Sequence, residues 1–112
     1  MSSKPLAEID ATKFSELLHS RFRVGTALPA GVELELAEVA GVRNFREGGP
    51  GTPEYEGFSL IFQGPDTAPL KQGTHPFEHA QIGKFDLFIV PIARTAGVIQ
   101  YQAVFNRRLN PA

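Results

Sequence analysis

The sequence predicts an all-β fold, mainly antiparallel: a small six-stranded β-barrel or sandwich with one short N-terminal helix. Three observations carry this. Runs with a period of two recur along the chain, as in VELELAEV and IQYQAVF. Turn clusters rich in Gly and Pro separate them at regular spacing, the pattern of a sandwich or barrel and not of βαβ units. Only one segment, FSELL, sets its apolar residues at helical spacing.

The elements follow in order. Residues 1–9 read as a tail, since Ser2, Ser3, Lys4 and Pro5 offer little to a core. A single domain is expected over 10–109. Asp10 or Thr12 can cap a helix, and Phe14, Leu17 and Leu18 then form one short stripe. Two turns do not hold alone, so this helix must lie on something, either plugging an open barrel end or covering an outer face. From Arg21 the period changes to two, with Phe22 and Val24 alternating with Arg21 and Arg23. Pro29, Ala30 and Gly31 turn the chain. Val32, Leu34 and Leu36 then face one way and Glu33 and Glu35 the other. The phase slips at Ala37–Val39, where a β-bulge is expected.

Residues 40–57 hold five Gly and two Pro in eighteen positions. This predicts a long loop or hairpin tip. Its large groups are Arg43, Phe45, Arg46 and Tyr55, candidate contact residues for a partner if the stretch is more than a mobile loop. Phe58, Leu60 and Phe62 share one face of the next strand. Residues 64–73 make a turn-rich connection, and ARTAG a second turn. Ile99, Tyr101, Ala103 and Phe105 alternate with Gln100, Gln102 and Val104 in the last strand. NRR at 106–108 reads as a solvated strand exit, and 110–112 as a frayed end.

The stretch QGTHPFEHAQIGKFDLFIVPI sets His75 and His79 four apart. On a helix they would share a face about 6 Å apart and could hold one metal. On a strand they are separated by roughly 13 Å, too far for one ion. The strand reading pairs Phe77 with Phe85, His75 with Leu87 and Glu78 with Lys84 around a turn near 80–83. Three sensible pairs at once favour it, and they make the histidines core-edge residues. A third metal ligand is hard to name, because His19 lies on the helix, and zinc needs three or four converging donors. In FDLFIVPI, Phe85, Leu87 and Ile89 form one face and Phe88, Val90 and Ile92 the other. A strand apolar on both faces needs cover on both. Either the helix stripe covers Phe88 and Val90, or they form a subunit interface. Pro91 cannot donate to a ladder, so the strand ends, bulges or meets an edge there.

The totals exclude several functions. The chain has 112 residues, a net charge of −1, nine Phe, no Trp and no Cys. No disulfide or thiolate site is possible, and no general field attracts nucleic acid or anionic lipid. There is no G-x-S-x-G, and GGPGT lacks the Lys-Ser/Thr of a phosphate-binding loop. Two arginines in GVRNFR are too few for a phosphate footprint. The carboxylate pairs Glu33/Glu35 and Glu54/Glu56 each sit on a wet face or loop, and nothing in the sequence suggests the burial or partner that would tune their pKa. No cofactor, metal or enzyme activity is expected. No membrane span or signal peptide is read, so the expected location is the cytoplasm, with export as part of an assembly open.

The motifs FQGP, LKQGTHPFEH, IGKFDLFIVP and YQAVF resemble a family of small uncharacterised bacterial β-domains. That family's signature runs F-x-G-P, L-x-Q-G-x-Y-x-L-x-H, L-G-x-F-x-L-F-L-V-P and Y-x-A-V-F. The likeness is strong over 58–107 and looser over TKFSELLHSRFRV. His75 stands where the family more often has Tyr, which favours packing there, and Ala80 where Pro is common. The resemblance implies association with phage-tail-like or tail-collar-like proteins and an assembly or adaptor role. It supplies no catalytic residues. The leading expectation is thus a non-enzymatic assembly module with protein partners or self-association as a homo-oligomer. The alternative is a barrel binding a small apolar ligand inside a face of Phe58, Phe62, Phe77, Phe85 and Phe105.

Overall fold

Alternation leaves each strand with one apolar face, and six such strands can hide those faces by curling round a common interior. The computed structural model does this. It describes residues 11–25, 31–46 and 48–109, with side chains described to residue 106. Helix α1 (Ala11–Glu16) precedes β1 (Arg21–Val24), β2 (Val32–Arg46), β3 (Glu54–Pro65), β4 (Gly73–His79), β5 (Gly83–Thr95) and β6 (Val98–Leu109). The order β1-β2-β3-β6-β5-β4 closes on itself, every neighbour antiparallel. The choice between barrel and sandwich resolves to a closed barrel. The tail, the Asp10 cap, Pro29 and Ala30, the side chains of Arg107 and Arg108, and residues 110–112 lie outside the described residues.

The ring shuts where β1 meets β4, with Arg23 opposite Glu78 and Val24 opposite Phe77. The Gly25 amide adds a bond to the Pro76 carbonyl at 2.9 Å. On the outside the Arg23 guanidinium donates to the Glu78 carboxylate. That hydrogen bond, and then the arginine charge, hold the Glu78 pKa below the ordinary glutamate range. The β4–β5 register pairs Phe77 with Phe85, His75 with Leu87 and Glu78 with Lys84, as the sequence reading has it.

Aromatic rings fill the interior. Phe22 lies 5.3 Å from Phe62, 6.2 Å from Phe85 and 6.5 Å from Phe77, ring centre to ring centre. A second group stacks Phe58 on Phe105 at 5.0 Å. The packing is tight enough that a Cβ on Gly64 would run into Leu34. The two ends are stopped differently. At one, buried Leu70 sits on the β3–β4 connection, and its amide donates to the hydroxyl of buried Tyr101 at 2.9 Å. At the other, α1 inserts Phe14, which is 0% exposed, against Phe58 at 5.9 Å and Phe105 at 5.4 Å.

Helix α1 is therefore an end plug. It does not cover the second face of β5: Phe14 and Leu17 are buried in the core, while Phe88 stays 52% exposed. The reason is steric, since Phe14 completes a stack that only the barrel mouth offers. Thr12 lies inside the helix, and the cap comes from the sheet, the Ala11 amide donating to Glu56 Oε1 at 3.3 Å. The helix leaves through His19, whose φ of 69° is left-handed. The next residues join β2, with His19 N–H on Leu36 O at 2.7 Å and Leu36 N–H on Ser20 O at 3.1 Å.

The expected bulge occurs, as the β2–β3 register shifts between Leu36 and Glu38 and again between Ala40 and Arg43. A further shift between Pro91 and Ala93 bends β5 at its proline. Of the long loop and the hairpin tip expected at 40–57, the structure has the hairpin, with strand on both sides of a shorter turn. Residues to Arg46 continue β2, and β3 begins at Glu54. Most of the glycine and proline belongs to the short turn between them, while β6 templates the hairpin by pairing with β3 from Glu54 to Pro65. Averaging composition over eighteen residues hid the two strand ends. β1 pairs β2 only as far as Glu35, and β6 pairs β5 only as far as Gln102. The outer parts of β2, β3 and β6 thus run on as a three-stranded arm, and the molecule measures 49 Å along its longest axis.

Two outcomes are expected. Phe14→Ala, which empties the plug, lowers unfolding free energy by about 3–5 kcal/mol in urea titrations. In an NMR titration Glu78 titrates below ordinary glutamate, so its contribution to closure is present above the ordinary range and is lost as pH falls through the lowered value. Arg23→Ala moves that titration back up, and more than Lys84→Ala does.

Candidate functional site

The histidines come first, because they carry the most chemistry in the sequence. β4 turns His75 and His79 to the same side as Phe77. His75 Nε2 lies 2.7 Å from the Lys71 carbonyl, a bond it makes as donor. His79 is 5% exposed, and its ring lies 4.5 Å from Phe22. Both its nitrogens are engaged. Nδ1 accepts the Gln81 amide at 3.0 Å, so Nε2 carries the proton and donates to Ser20 Oγ at 2.8 Å. Ser20 in turn donates to the Leu17 carbonyl at 2.5 Å. Burial, and secondarily the Lys13 charge, hold the His79 pKa below the ordinary imidazole value. Ser20 and His79 look like a nucleophile and its base, but the serine proton is committed to a carbonyl and the ring is walled in by Phe22. Among the described residues no three of His, Asp and Glu stand close enough to hold a metal ion.

The outward face is different. Counting from inward Phe58, Leu60 and Phe62, the outward rows of the sheet follow from the register. Tyr55 stands between Phe45 and β6, Gly57 between Arg43 and Asn106, Ser59 between Ala40 and Val104, and Ile61 between Glu38 and Gln102. Gln102 in turn pairs with Val90 of β5. Phe88 lies two residues along that strand on the same side.

This one face takes in most of the candidate contact residues. Phe45 stacks on Tyr55 at 5.6 Å, and the Arg43 guanidinium lies 4.4 Å from the centre of the Phe45 ring. Phe45 also covers Gly57, where a Cβ would come within 3.2 Å of its ring edge and 3.0 Å of Asn106 Oδ1. Phe88 is exposed and Val90 half-buried. Arg46 is the exception. It pairs with Glu54 in the alternate row and ties the turn, Nη1 donating to the Thr52 carbonyl at 2.6 Å.

Sequence reasoning missed Val104, which is 66% exposed, and Val42, which is 53% exposed. For Val104 a signal existed. It is an apolar residue in the outward phase of a strand, flanked in that phase by Gln102 and Asn106. Val42 sits in the second irregularity of β2, where no alternation could assign it a side.

The architecture is that of a small closed antiparallel barrel with a helical plug, a projecting arm and an apolar outer strip. The chain belongs to a family described as Domain of unknown function (DUF6916), whose model matches residues 9–105. No curated protein and no solved structure matches it. No helix among the described residues is long and apolar enough to cross a membrane.

Gly57→Ala tests how the arm holds its aromatic pair. The added methyl forces Phe45 and Asn106 outward and lowers stability by about 1–3 kcal/mol. The Tyr55 ring resonances should shift towards solvent-exposed values, while those of Tyr101 stay in place.

Proposed function

We propose that the chain is a non-enzymatic assembly or adaptor module. It binds protein partners, with a second copy of itself the first to consider, through the outer face of β5, β6 and the β2–β3 arm. One observation carries this reading: Phe88 at 52% and Val104 at 66% exposure sit on neighbouring strands of one sheet face. Large apolar residues gathered on one outer face are the mark of an association site, whereas single exposed ones are ordinary. Burying them contributes roughly 25 cal/mol per Å² of apolar surface. The Arg43–Phe45–Tyr55 group extends the face with the residue types that dominate contact energies. A repeating or surface structure of the phage-tail-like kind is the setting that the sequence resemblance implies.

The second reading, a small apolar ligand inside the barrel, has less in its favour. Phe58, Phe62, Phe77, Phe85 and Phe105 are each under 10% exposed and in ring contact with one another or with Phe14 and Phe22. A ligand there would first have to displace a ring.

Sedimentation velocity over a concentration series tests the association. The wild-type chain should self-associate. A Phe88→Asp/Val104→Asp double variant should weaken association at least tenfold with its unfolding midpoint little changed, since both side chains face outward. A wild type that stays monomeric at high concentration, with no partner co-purifying, would sink the proposal.

A further inference from the structure

At the end of the barrel that α1 plugs, one titratable ring links the plug to the β4–β5 turn. His79 ends β4, and the Gln81 amide in the following turn depends on its Nδ1 at 3.0 Å. On its other side Nε2 meets Ser20 Oγ at 2.8 Å, and Ser20 holds the last turn of the helical segment through the Leu17 carbonyl at 2.5 Å. Buried residues lie on both flanks: Ile82, 2% exposed, in the turn, and Leu17, 1% exposed, after the helix. The β4–β5 turn and the plug therefore share a single side chain as fastener, and that side chain has one nitrogen that works only as an acceptor.

We propose that His79 is an acid-responsive latch, whose protonation releases the β4–β5 turn and the α1 plug together while the ring of strands stays closed. A protonated imidazole has two N–H donors and no acceptor. The Gln81 amide would then face an N–H in place of a lone pair, and Ile82 would lose the turn that holds it inward. Among the described residues no carboxylate acts on the ring to offset the charge, and Glu56 of β3 accepts from the Ala11 amide at the start of α1. On α1 the charged groups are Lys13 and Glu16, 3.6 Å apart, and Lys13 is the one that acts on the ring. His19 is turned to Glu35 at 3.2 Å. Arg21 and Arg23 of β1, Glu78 of β4 and Lys84 of β5 lie on the outer faces of their strands, with Arg23 and Lys84 acting on Glu78.

The sign follows from the lowered value of the closed form. The closed ring resists the proton and the open ring takes it at the ordinary imidazole range. The closed state is therefore fully favoured above about pH 6.5 and loses ground as pH falls below it. For an open-state ring of ordinary pKa, opening becomes up to roughly 30-fold more frequent at pH 5. The middle parts of β3 and β6 have no share in this, because no histidine lies among their interior ring contacts.

Hydrogen exchange of the full chain at pH 7.5 and pH 5.0, expressed as protection factors, is the test. The expected result is a fall of about tenfold or more in protection at 14–20 and 79–83, with 58–63 and 99–104 unchanged. His79→Asn places an amide oxygen near the position of Nδ1 and cannot charge, so its protection at 14–20 and 79–83 should be independent of pH. Unchanged protection in the wild type, loss spread evenly over the barrel, or the same pH dependence in His79→Asn would each overturn the latch. If the variant does not fold, NMR of the wild type decides. The Gln81 amide shift should follow the His79 titration, and an amide shift independent of that titration rejects the coupling.

Discussion

The rest of the structure depends on filling a closed ring of six strands. A ring of this size has an interior just wide enough for side chains, so it is stable only when those side chains meet in the middle. The chain answers with phenylalanine. Phe22, Phe62, Phe77 and Phe85 meet around one level of the barrel, and Phe58, Phe105 and Phe14 around another. The second level is completed only when α1 brings Phe14 into the mouth of the barrel. The bend at Pro91–Ala93 lets one β5 serve two partners, β4 over its first half and β6 over its second. Gly64 is the complement of this constraint, a place where the interior has no volume left even for a methyl.

Much of this was legible in the chain, for a definite reason. A closed antiparallel barrel is wet outside and apolar inside on every strand, so period-two alternation reports directly on which side chains point inward. Phe58–Leu60–Phe62 and Ile99–Tyr101–Ala103–Phe105 read correctly from that alone. The β4–β5 register was legible because three cross-strand pairs had to be sensible together. The destination of α1 was not. Its stripe of Phe14 and Leu17 says that it must be buried, yet the same stripe would suit an outer face or an open end. What decides is the stack of Phe58 on Phe105, a contact between residues far apart in sequence that exists only after the strands have paired. The arm was hidden for a related reason, since its pairing with β6 is long-range while its composition is that of its turn.

The candidate face was half legible. Phe88 and Val90 announce themselves as a second apolar side on a strand that already has one. Phe45 and Tyr55 were conspicuous only as large groups in a supposed loop. Registering β2, β3, β6 and β5 puts them on one outward surface, because outward rows are continuous across a sheet once the bulges are counted. Arg46 fell to the other side of that parity, a distinction of a single residue that no loop reading can make. The histidines went the opposite way from the most chemical-looking feature of the sequence: His79 is a packed ring with both nitrogens engaged, and His75 is a half-buried one that donates to the Lys71 carbonyl.

These facts bear on one another. A barrel whose interior is occupied by its own rings has its surface left for recognition. Over much of the ring the strands satisfy one another's backbone groups, which removes the edge-to-edge route by which sheets commonly associate. Contacts made with the ring must then be made by side chains on its outer face. That face is where Phe88 and Val104 stand exposed, at a place where β5 and β6 have stopped pairing and begun to diverge. The divergence is a product of ring closure: β5 must turn towards β4 to shut the barrel, while β6 runs on with β3 into the arm. The constraint that fills the interior with phenylalanine thus also separates these two strands, and leaves an apolar surface at their parting that no element among the described residues covers.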